Sequence, residues 1–230
     1  MTKMLVSVRH VAEALLAAGG GADFIDLKEP RAGALGGLPV ATIGAVVAAL
    51  RHGGYTLPVS ATIGDLPMRP LAPVLAQVHA VAACGVDYVK VGIERGGDAA
   101  PLLRALAACG HAVVPVFIAD RGLDAVDVRL ACGLGFPALM VDTADKRAGS
   151  LFDVMGAADL QQFLQAVRAA GAMAGLAGAL RLQHLPALRE LAPDFAGFRS
   201  AVCDGDRGSA LDARRLHALA QALKGVPAEV

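Results

Sequence analysis

Short apolar runs alternate with alanine-rich stretches along this chain, and this alternation constrains the fold more than any other feature. The alanine-rich stretches end in glycine, as at Gly85, Gly110 and Gly133, and an apolar run follows each one. Glycine readily adopts the left-handed conformation that ends a helix, so each of these glycines predicts a passage from a helix to a strand. They lie roughly 25 residues apart, which is the length of one strand plus one helix.

The alternation predicts eight strands and eight helices. The predicted strands are residues 4–8, 23–28, 57–63, 86–91, 112–118, 137–142, 172–177 and 194–199, and the predicted helices lie near 10–19, 40–51, 69–83, 98–108, 123–132, 157–170, 183–191 and 209–223. Eight such units in 230 residues predict an α/β fold, a (β/α)₈ TIM barrel, in which residues 1–230 form a single domain. An open, doubly wound sheet is the main alternative, and the lack of a GxGxxG motif after the first strand weakens it.

Composition argues against several classes of function. The chain is 55% hydrophobic and its formal net charge is zero, so nothing suggests a surface that binds nucleic acid or an anionic membrane. No apolar stretch reaches membrane-spanning length, and the amino terminus lacks a signal-peptide pattern. The four cysteines lack zinc-site spacing and fit a reducing cytosol, so we expect a cytoplasmic protein. The oligomeric state is left open, and a homo-oligomer is compatible with the sequence.

Lysines are rare in this chain, and three of them lie at or just beyond the ends of predicted strands. The chain has five lysines against sixteen arginines; Lys28 and Lys90 end the apolar runs of the second and fourth predicted strands, and Lys146 follows the sixth by a few residues. In a TIM barrel the active site lies at the carboxyl ends of the strands, and alternate strands contribute side chains to the same layers. We therefore expect the three lysines to converge at one mouth of the barrel.

Lys28 is the candidate nucleophile at this mouth. A lysine that is desolvated and close to other cations has a lowered pKa, and its amine can then attack a carbonyl. Asp26 shares a strand face with Lys28 and can orient it, and Asp142 is a second candidate acid–base group. Each lysine could instead form a structural salt bridge with one of these aspartates. Lys146, four residues beyond Asp142, could also be a solvated loop residue.

Glycines at the ends of the last two strands predict a phosphate site. Gly175 and Gly178 stand at the end of the seventh strand, and Arg199, Ser200 and Gly205 follow the eighth. In this fold the loops after strands seven and eight often bind phosphate through backbone N–H groups. Arg199 could add positive charge to this site, or it could form a salt bridge at the barrel mouth.

Three further polar positions receive no catalytic role from the sequence. Ser60 and Thr62 on the third strand face either the mouth or the core, and the sequence does not decide between them. Asp87 stands at the start of the fourth strand, so we expect it at the opposite end of the barrel. The six histidines are scattered and form no metal-ligand cluster.

Six motifs, in order along nearly the whole chain, resemble the (5-formylfuran-3-yl)methyl phosphate synthase family, also called 4-(hydroxymethyl)-2-furancarboxaldehyde phosphate synthase. They are GGADFIDLKEPRAGALGGLP, VSATIGD, DYVKVGI, MVDTADKRAGSLFD, GLAGALR and GFRSAVCDGDR. The resemblance implies that two molecules of glyceraldehyde 3-phosphate are joined, with loss of one phosphate and of water, into a phosphorylated furan aldehyde. Such a furan is a precursor of methanofuran and of a related one-carbon carrier.

The resemblance also implies residue roles. The Schiff-base lysine of the family's D-x-K motif falls on Lys28, with its aspartate on Asp26, and the proton-accepting lysine falls on Lys90. The D-T-x-x-K motif falls on Asp142 and Lys146. No metal or other cofactor is implied, because the iminium at the lysine withdraws the electrons.

Two alternatives of a different class stay open from the sequence. One is a class I aldolase of sugar phosphates, which would also use a lysine Schiff base, and the other is a non-catalytic barrel that binds a phosphorylated metabolite. The small-molecule partner in the preferred interpretation is a phosphorylated triose. The chain carries Glu29 where other members often carry asparagine, and we expect little effect from this difference.

Overall fold

The computed structural model describes residues 1–33, 35–145 and 149–225, and within them eight parallel strands close into a barrel. Each strand pairs with the next along the chain, and the last pairs with the first. The strands are β1 (Lys3–Val8), β2 (Phe24–Leu27), β3 (Val59–Thr62), β4 (Tyr88–Ile93), β5 (Val113–Ile118), β6 (Ala138–Asp142), β7 (Met173–Leu176) and β8 (Phe195–Phe198). The closed sheet confirms the predicted TIM barrel and excludes the open, doubly wound sheet.

Helices alternate with these strands and pack around the outside of the barrel. They are α1 (Val11–Gly19), α2 (Val40–His52), α3 (Leu71–Ala82), α4 (Ala99–Ala107), α5 (Ala125–Gly133), α6 (Leu151–Val154), α7 (Ala157–Ala169), α8 (Leu185–Leu191) and α9 (Ala213–Leu223). The predicted helices are all found, with ends that agree to within a few residues. Within the described ranges, no helix combines the length and hydropathy needed to cross a bilayer.

Helix α6 was not predicted, because it is a single turn and shows no apolar periodicity. Its start is fixed by a capping box in which the Asp153 carboxylate accepts hydrogen bonds from the backbone N–H and the hydroxyl of Ser150 (2.6 and 2.7 Å). Short 3₁₀ turns at Ala119–Arg121, Leu182–His184 and Ser200–Val202 were also not predicted. They shape the loops that follow β5, β7 and β8.

The glycines predicted to end helices do so with one exception. Gly85 and Gly110 have φ values of 82° and 79°, in the left-handed region that glycine favours. The prediction for Gly133 is wrong, because α5 includes this residue as its last. Gly135, two residues further on, takes the left-handed conformation instead (φ 76°).

The four cysteines, all within the described ranges, are free thiols. Cys203 is buried, and Cys84, Cys109 and Cys132 are half-buried near helix ends. Burial raises the pKa of the Cys84, Cys132 and Cys203 thiols, which disfavours the reactive thiolate.

Alternation along the strands divides the apolar side chains into two cores. Side chains that point outward pack against the helices, and those that point inward fill the barrel. The interior cluster comprises Leu5, Phe24, Leu35, Val114, Val116, Ile118, Ala138, Met140, Ala177 and Phe195. The rings of Phe24 and Phe195 lie 5.7 Å apart in this interior. These apolar residues form the lower interior, above which the polar side chains of β2, β4 and β6 project toward the carboxyl ends.

Three aspartates close the opposite, amino-terminal end of the barrel. Each precedes an even-numbered strand and accepts a hydrogen bond from a backbone N–H of the neighbouring strand: Asp23 from Met4 (2.7 Å), Asp87 from Val59 (2.7 Å) and Asp194 from Ala174 (2.8 Å). A charged acceptor strengthens such a bond. The expected position of Asp87 is thereby confirmed, and Arg51 Nη2 lies 2.9 Å from the same carboxylate.

Replacing Asp87 by alanine should lower the free energy of unfolding by about 1–3 kcal/mol, because the Val59 N–H loses a charged acceptor. Urea unfolding followed by circular dichroism measures this change. Glu190→Ala, at an exposed position of α8, is the matched control and should leave the free energy nearly unchanged. Equal stability of the two variants would show that the hydrogen bond does not support the barrel.

A buried ion pair joins α1 to the end of β8. The Arg199 guanidinium contacts both carboxylate oxygens of Glu13, at 2.6 and 3.0 Å. Its remaining N–H groups donate to the backbone carbonyls of Ser7 (3.0 Å), Arg207 (2.9 Å) and Ser209 (2.6 Å). The guanidinium has five N–H donors, and each has a protein acceptor here. This arrangement fixes the start of the loop after β8.

The Glu13→Gln variant should be destabilised by about 3–5 kcal/mol, because Arg199 is left buried without its counter-charge. Burial alone raises the pKa of Glu13, but Arg199 and Arg9 outweigh it and hold the pKa below its usual value. The unfolded chain therefore binds a proton at Glu13 before the folded chain does. The stability that Glu13 contributes is therefore fully present above the ordinary glutamate pKa of about 4.3. It is lost as the pH falls through the lower pKa that Glu13 has in the folded protein.

Urea unfolding between neutral pH and the acid range should accordingly show a shallower loss of stability on acidification in Glu13→Gln than in the wild type. Glu190→Gln, at the exposed α8 position, is the control and should keep the wild-type slope. An unchanged slope in Glu13→Gln would contradict the lowered pKa.

Candidate active site

Four of the sequence-predicted site residues converge at the carboxyl-terminal mouth of the barrel. Asp26 and Lys28 come from β2 and its end, Lys90 from β4 and Asp142 from the end of β6, and all four are buried. They line a cavity of about 210 Å³ whose rim is formed by residues 177–181 after β7 and by residues 197–200, 206 and 207. The fifth predicted residue, Lys146, lies outside the described residues, so its expected position stays a prediction.

Two ion pairs cross this cavity between strands. Lys90 Nζ lies 2.8 Å from Asp26 Oδ1, and Lys28 Nζ lies 3.3 Å from Asp142 Oδ2. Asp26 and Lys28 do point to one face of β2, but two residues along a strand separate them by roughly 6.6 Å of rise, so each meets a partner from another strand. The expectation that Asp26 orients Lys28 is therefore replaced by a crossed pairing, in which Asp142 orients Lys28.

Two serines fix the carboxylate of Asp26. Ser60 Oγ donates to Oδ1 (2.7 Å) and Ser7 Oγ donates to Oδ2 (3.1 Å), from the strands on either side of β2. Burial alone raises the pKa of Asp26, but the ammonium groups of Lys90 and Lys28 and the hydrogen bonds outweigh it and hold the pKa below its usual value. Asp26 is therefore an ionised acceptor at neutral pH.

The role of these two serines was not found from the sequence. Ser60 was left undecided between mouth and core, and the structure places its hydroxyl in the barrel interior. Ser7 was not considered, although it interrupts the apolar run of β1 and pairs in register with Asp26. A lone hydroxyl in an otherwise apolar strand was the available signal.

The segment after β6 is fixed by acceptors around Asp142. The Thr143 N–H donates to Asp142 Oδ1 (2.7 Å), and the Asp120 carboxylate accepts from the Ala144 and Asp145 N–H groups (2.5 and 2.9 Å). Gly178, with φ 117°, packs so closely on this segment that an added Cβ would lie 3.0 Å from the side chain of Thr143. Glycine is therefore required here by both conformation and space.

The residues predicted to bind phosphate are distributed unevenly around the cavity. Gly178 and Ser200 are at its rim. Gly175 is not among the lining residues, since it lies within β7 against the ring of Phe195, where an added Cβ would collide. Gly205 is in the exposed loop after β8 and does not line the cavity.

The sequence left Arg199 open between phosphate binding and a salt bridge, and in the structure it forms the salt bridge. Its guanidinium reaches the cavity wall, but its N–H groups are engaged by Glu13 and backbone carbonyls. Arg207, which the sequence analysis did not single out, lines the same cavity and is half-buried. It lies in a loop of glycine, aspartate and serine that shows no periodicity, so no pattern predicted its direction.

The loop after β2 covers one side of the cavity. Its backbone is fixed where the Leu35 N–H donates to Asp65 Oδ1 (2.9 Å) and where the Gly36 carbonyl accepts from Glu29 N–H (2.8 Å) and Thr62 Oγ1 (3.0 Å). The Leu35 side chain is buried and lines both this cavity and a neighbouring one of about 570 Å³. It therefore separates the lysine site from the second cavity.

Among residues 1–33, 35–145 and 149–225, no group of three or more histidine, cysteine, aspartate or glutamate side chains is arranged to hold a metal ion. The chemistry available at the described site is that of amines, carboxylates and hydroxyls. A buried amine next to a carboxylate can exchange a proton with it and attack a carbonyl carbon.

Similar solved structures are TIM-barrel enzymes. Phosphoribosyl anthranilate isomerase from Thermus thermophilus superposes with a TM-score of 0.66 at 17% identity, covering 97% of this chain and 99% of that one. The 3-hexulose-6-phosphate synthase of Salmonella typhimurium superposes with a TM-score of 0.63 at 20% identity, covering 97% and 99%. At these identities the likeness shows the fold alone.

Sequence relatives give the family. The 4-HFC-P synthase family model matches residues 4–220. The (5-formylfuran-3-yl)methyl phosphate synthase of Archaeoglobus fulgidus is 36% identical over 237 residues, covering 97% of this chain and all of the relative. A Methylorubrum extorquens protein that carries the same name provisionally is 39% identical over 226 residues, covering 98% and 93%. With the fold, the buried lysines and these relatives in agreement, the chain belongs to the 4-HFC-P synthase family of enzymes.

Proposed function

We propose that this enzyme joins two molecules of glyceraldehyde 3-phosphate, with loss of one phosphate group and of water, into (5-formylfuran-3-yl)methyl phosphate. The observation that carries the proposal is the buried Lys28 amine, held 3.3 Å from the Asp142 carboxylate in the cavity at the barrel mouth. The names of the relatives support the product, and the substrate and the Schiff base are what the motif resemblance implies, with which a buried amine beside a carboxylate is compatible. The product would serve the biosynthesis of methanofuran-type one-carbon carriers.

Formation of a Schiff base is the first proposed step. Lys28 Nζ transfers a proton to Asp142 Oδ2, and the neutral amine attacks the aldehyde carbon of the first triose. Water leaves from the resulting carbinolamine, and the iminium that forms withdraws electrons from the adjacent carbons. This electron withdrawal permits removal of an α proton and loss of phosphate from the β carbon.

Lys90 is the proposed proton acceptor for these steps. Asp26 holds its amine at 2.8 Å, and the two serine hydroxyls keep that carboxylate in place. The carbanion equivalent formed at C3 of the first triose adds to C2 of the second, whose aldehyde is first isomerised to the C2 ketone, because the phosphorylated carbon of the product is a branch on the ring. Ring closure and dehydration then give an aromatic furan, which makes the sequence strongly favourable, and hydrolysis of the iminium by water releases the formyl group of the product and regenerates the Lys28 amine.

The proposed site extends beyond the two ion pairs. Lys146 is assigned to the site with Asp142 on the resemblance of the D-T-x-x-K motif. Backbone N–H groups near Gly178 and Ser200 are assigned to phosphate binding because both residues are at the cavity rim. We also propose that residues 1–230 work as one domain. Because the relatives are named as enzymes, a barrel that only binds a metabolite is no longer supported.

Incubation with glyceraldehyde 3-phosphate should release inorganic phosphate and form a product that absorbs ultraviolet light and has the mass of the furan phosphate. Lys28→Arg should abolish this turnover, because the guanidinium stays protonated and cannot attack the aldehyde. Mass spectrometry and an absorbance assay measure both results. Lys3→Arg, at the amino-terminal end of β1, is the matched control and should retain activity.

A sugar phosphate without ultraviolet absorbance would instead identify a class I aldolase. That result would be compatible with the proposed Schiff base at Lys28 but would contradict the proposed formation of a furan. Turnover retained by Lys28→Arg would remove Lys28 from its role as nucleophile.

The crossed pairing predicts different defects for the two aspartates. Asp142→Asn should reduce trapping of glyceraldehyde 3-phosphate on Lys28 by borohydride, because the amine loses its nearest base. Asp26→Asn should reduce turnover by roughly 10²–10⁴-fold while borohydride still traps the adduct, because it disturbs Lys90 rather than Lys28. Peptide mass mapping quantifies the adduct in each variant.

Comparing the two variants shows which aspartate is the functional partner of Lys28. If Asp26→Asn loses trapping while Asp142→Asn keeps it, the functional partner of Lys28 is Asp26, and the pairing in the resting site does not carry the mechanism. An adduct on the peptide that contains Lys90 would reassign the nucleophile.

A further inference from the structure

Most cations that line the active-site cavity are neutralised by a buried carboxylate. The pairs are Lys28 with Asp142, Lys90 with Asp26 and Arg199 with Glu13. Among the lining residues, Arg181 and Arg207 are the arginines that take part in no salt bridge within the described chain. Arg181 is exposed, so water screens its charge, whereas Arg207 is half-buried.

Arg207 has weak protein contacts for a half-buried guanidinium. Its Nη2 donates to the Gly33 carbonyl at 3.3 Å, which is long for such a bond. Its backbone carbonyl accepts from Arg199 Nε, so the main chain is fixed while the charged end is held loosely. Several N–H groups of the guanidinium therefore remain available for a ligand.

The electrostatic setting of Arg207 matches this geometry. Burial lowers the pKa of its guanidinium, and the carboxylates of Asp142, Asp65 and Glu29 partly offset this from a distance. A cation that is partly desolvated without a contacting counter-charge is destabilised until an anion binds. A phosphate dianion accepts two parallel N–H bonds from a guanidinium, which a single carbonyl does not.

We propose that Arg207 is the cation that binds the substrate phosphate, exchanging its long hydrogen bond to the Gly33 carbonyl for a bidentate contact with the phosphate oxygens. The identity of the ligand as a triose phosphate rests on the proposed function, whereas the affinity for phosphate does not. Arg199, for which the sequence left phosphate binding and a salt bridge equally open, serves to fix the backbone from which Arg207 projects.

Arg31 provides a matched control on the facing loop. Its Nη2 donates to the Gly208 carbonyl at 3.1 Å and so joins the loop after β2 to the loop after β8. Arg207 joins the same two loops, but from the loop after β8 to the Gly33 carbonyl in the loop after β2. Arg31 is exposed and does not line the cavity. Loss of a loop contact should affect both variants, whereas loss of a phosphate contact should affect only Arg207.

Binding of inorganic phosphate, measured by titration calorimetry, tests the proposal independently of turnover. Arg207→Gln should weaken phosphate binding by about 10- to 100-fold. Arg207→Lys should retain part of the affinity, because lysine keeps the positive charge but cannot donate two parallel N–H bonds to the phosphate. Arg31→Gln should bind phosphate as the wild type does. Circular dichroism and urea unfolding check that each variant is folded.

Borohydride trapping gives a second readout with an internal comparison. The wild type should trap glyceraldehyde 3-phosphate at lower concentration than unphosphorylated glyceraldehyde, and Arg207→Gln should lose most of this preference. Its KM for glyceraldehyde 3-phosphate should rise by a similar factor, with a smaller change in kcat. Trapping of glyceraldehyde itself should change little.

Wild-type phosphate affinity in Arg207→Gln would overturn the inference, as would an equal loss in Arg31→Gln, which would show a role in joining the loops. A wild type that neither binds phosphate nor prefers the phosphorylated aldehyde would overturn it as well. If phosphate binding depends on Arg207 but no furan product forms, the inference stands and the proposed function fails.

Discussion

The ion pair between Asp26 and Lys90 is the interaction on which the rest of the site depends. Both groups are buried in the barrel interior, where an unpaired charge would be strongly destabilising. Their 2.8 Å contact and the hydroxyls of Ser7 and Ser60 offset the loss of water. Apolar residues of similar volume would often be as stable or more so, so this polar layer is better explained by chemistry than by stability.

The polar layer also determines how the other lysine is used. Because Asp26 is engaged by Lys90 and two serines, the ammonium of Lys28 lies against Asp142 across the barrel. Each amine thus contacts a different carboxylate, although both lie in one cavity and both lower the pKa of Asp26. In the proposed mechanism, each lysine therefore has its own contacting carboxylate for proton exchange.

Much of the fold was readable from the sequence, because the strand–helix alternation and the glycine caps are local signals. The convergence of Asp26, Lys28, Lys90 and Asp142 followed from the barrel geometry. The crossed pairing could not be predicted, since it depends on the tilt and relative height of strands that are distant in sequence. A salt bridge of Arg199 was one of two open interpretations, but its partner Glu13 could not be predicted for a similar reason, because it lies 186 residues away on α1.

The aspartates at the amino-terminal end of the barrel have a consequence for the distant mouth. Each of Asp23, Asp87 and Asp194 spans two neighbouring strands, so a slip of one strand by a residue would break its bond to the backbone N–H. Together they lock the shear of the barrel at one end. The height at which Asp26 meets Lys90, and Lys28 meets Asp142, is thus set partly by carboxylates at the opposite end of the barrel, so that the geometry of the mouth depends on strand register fixed far from it.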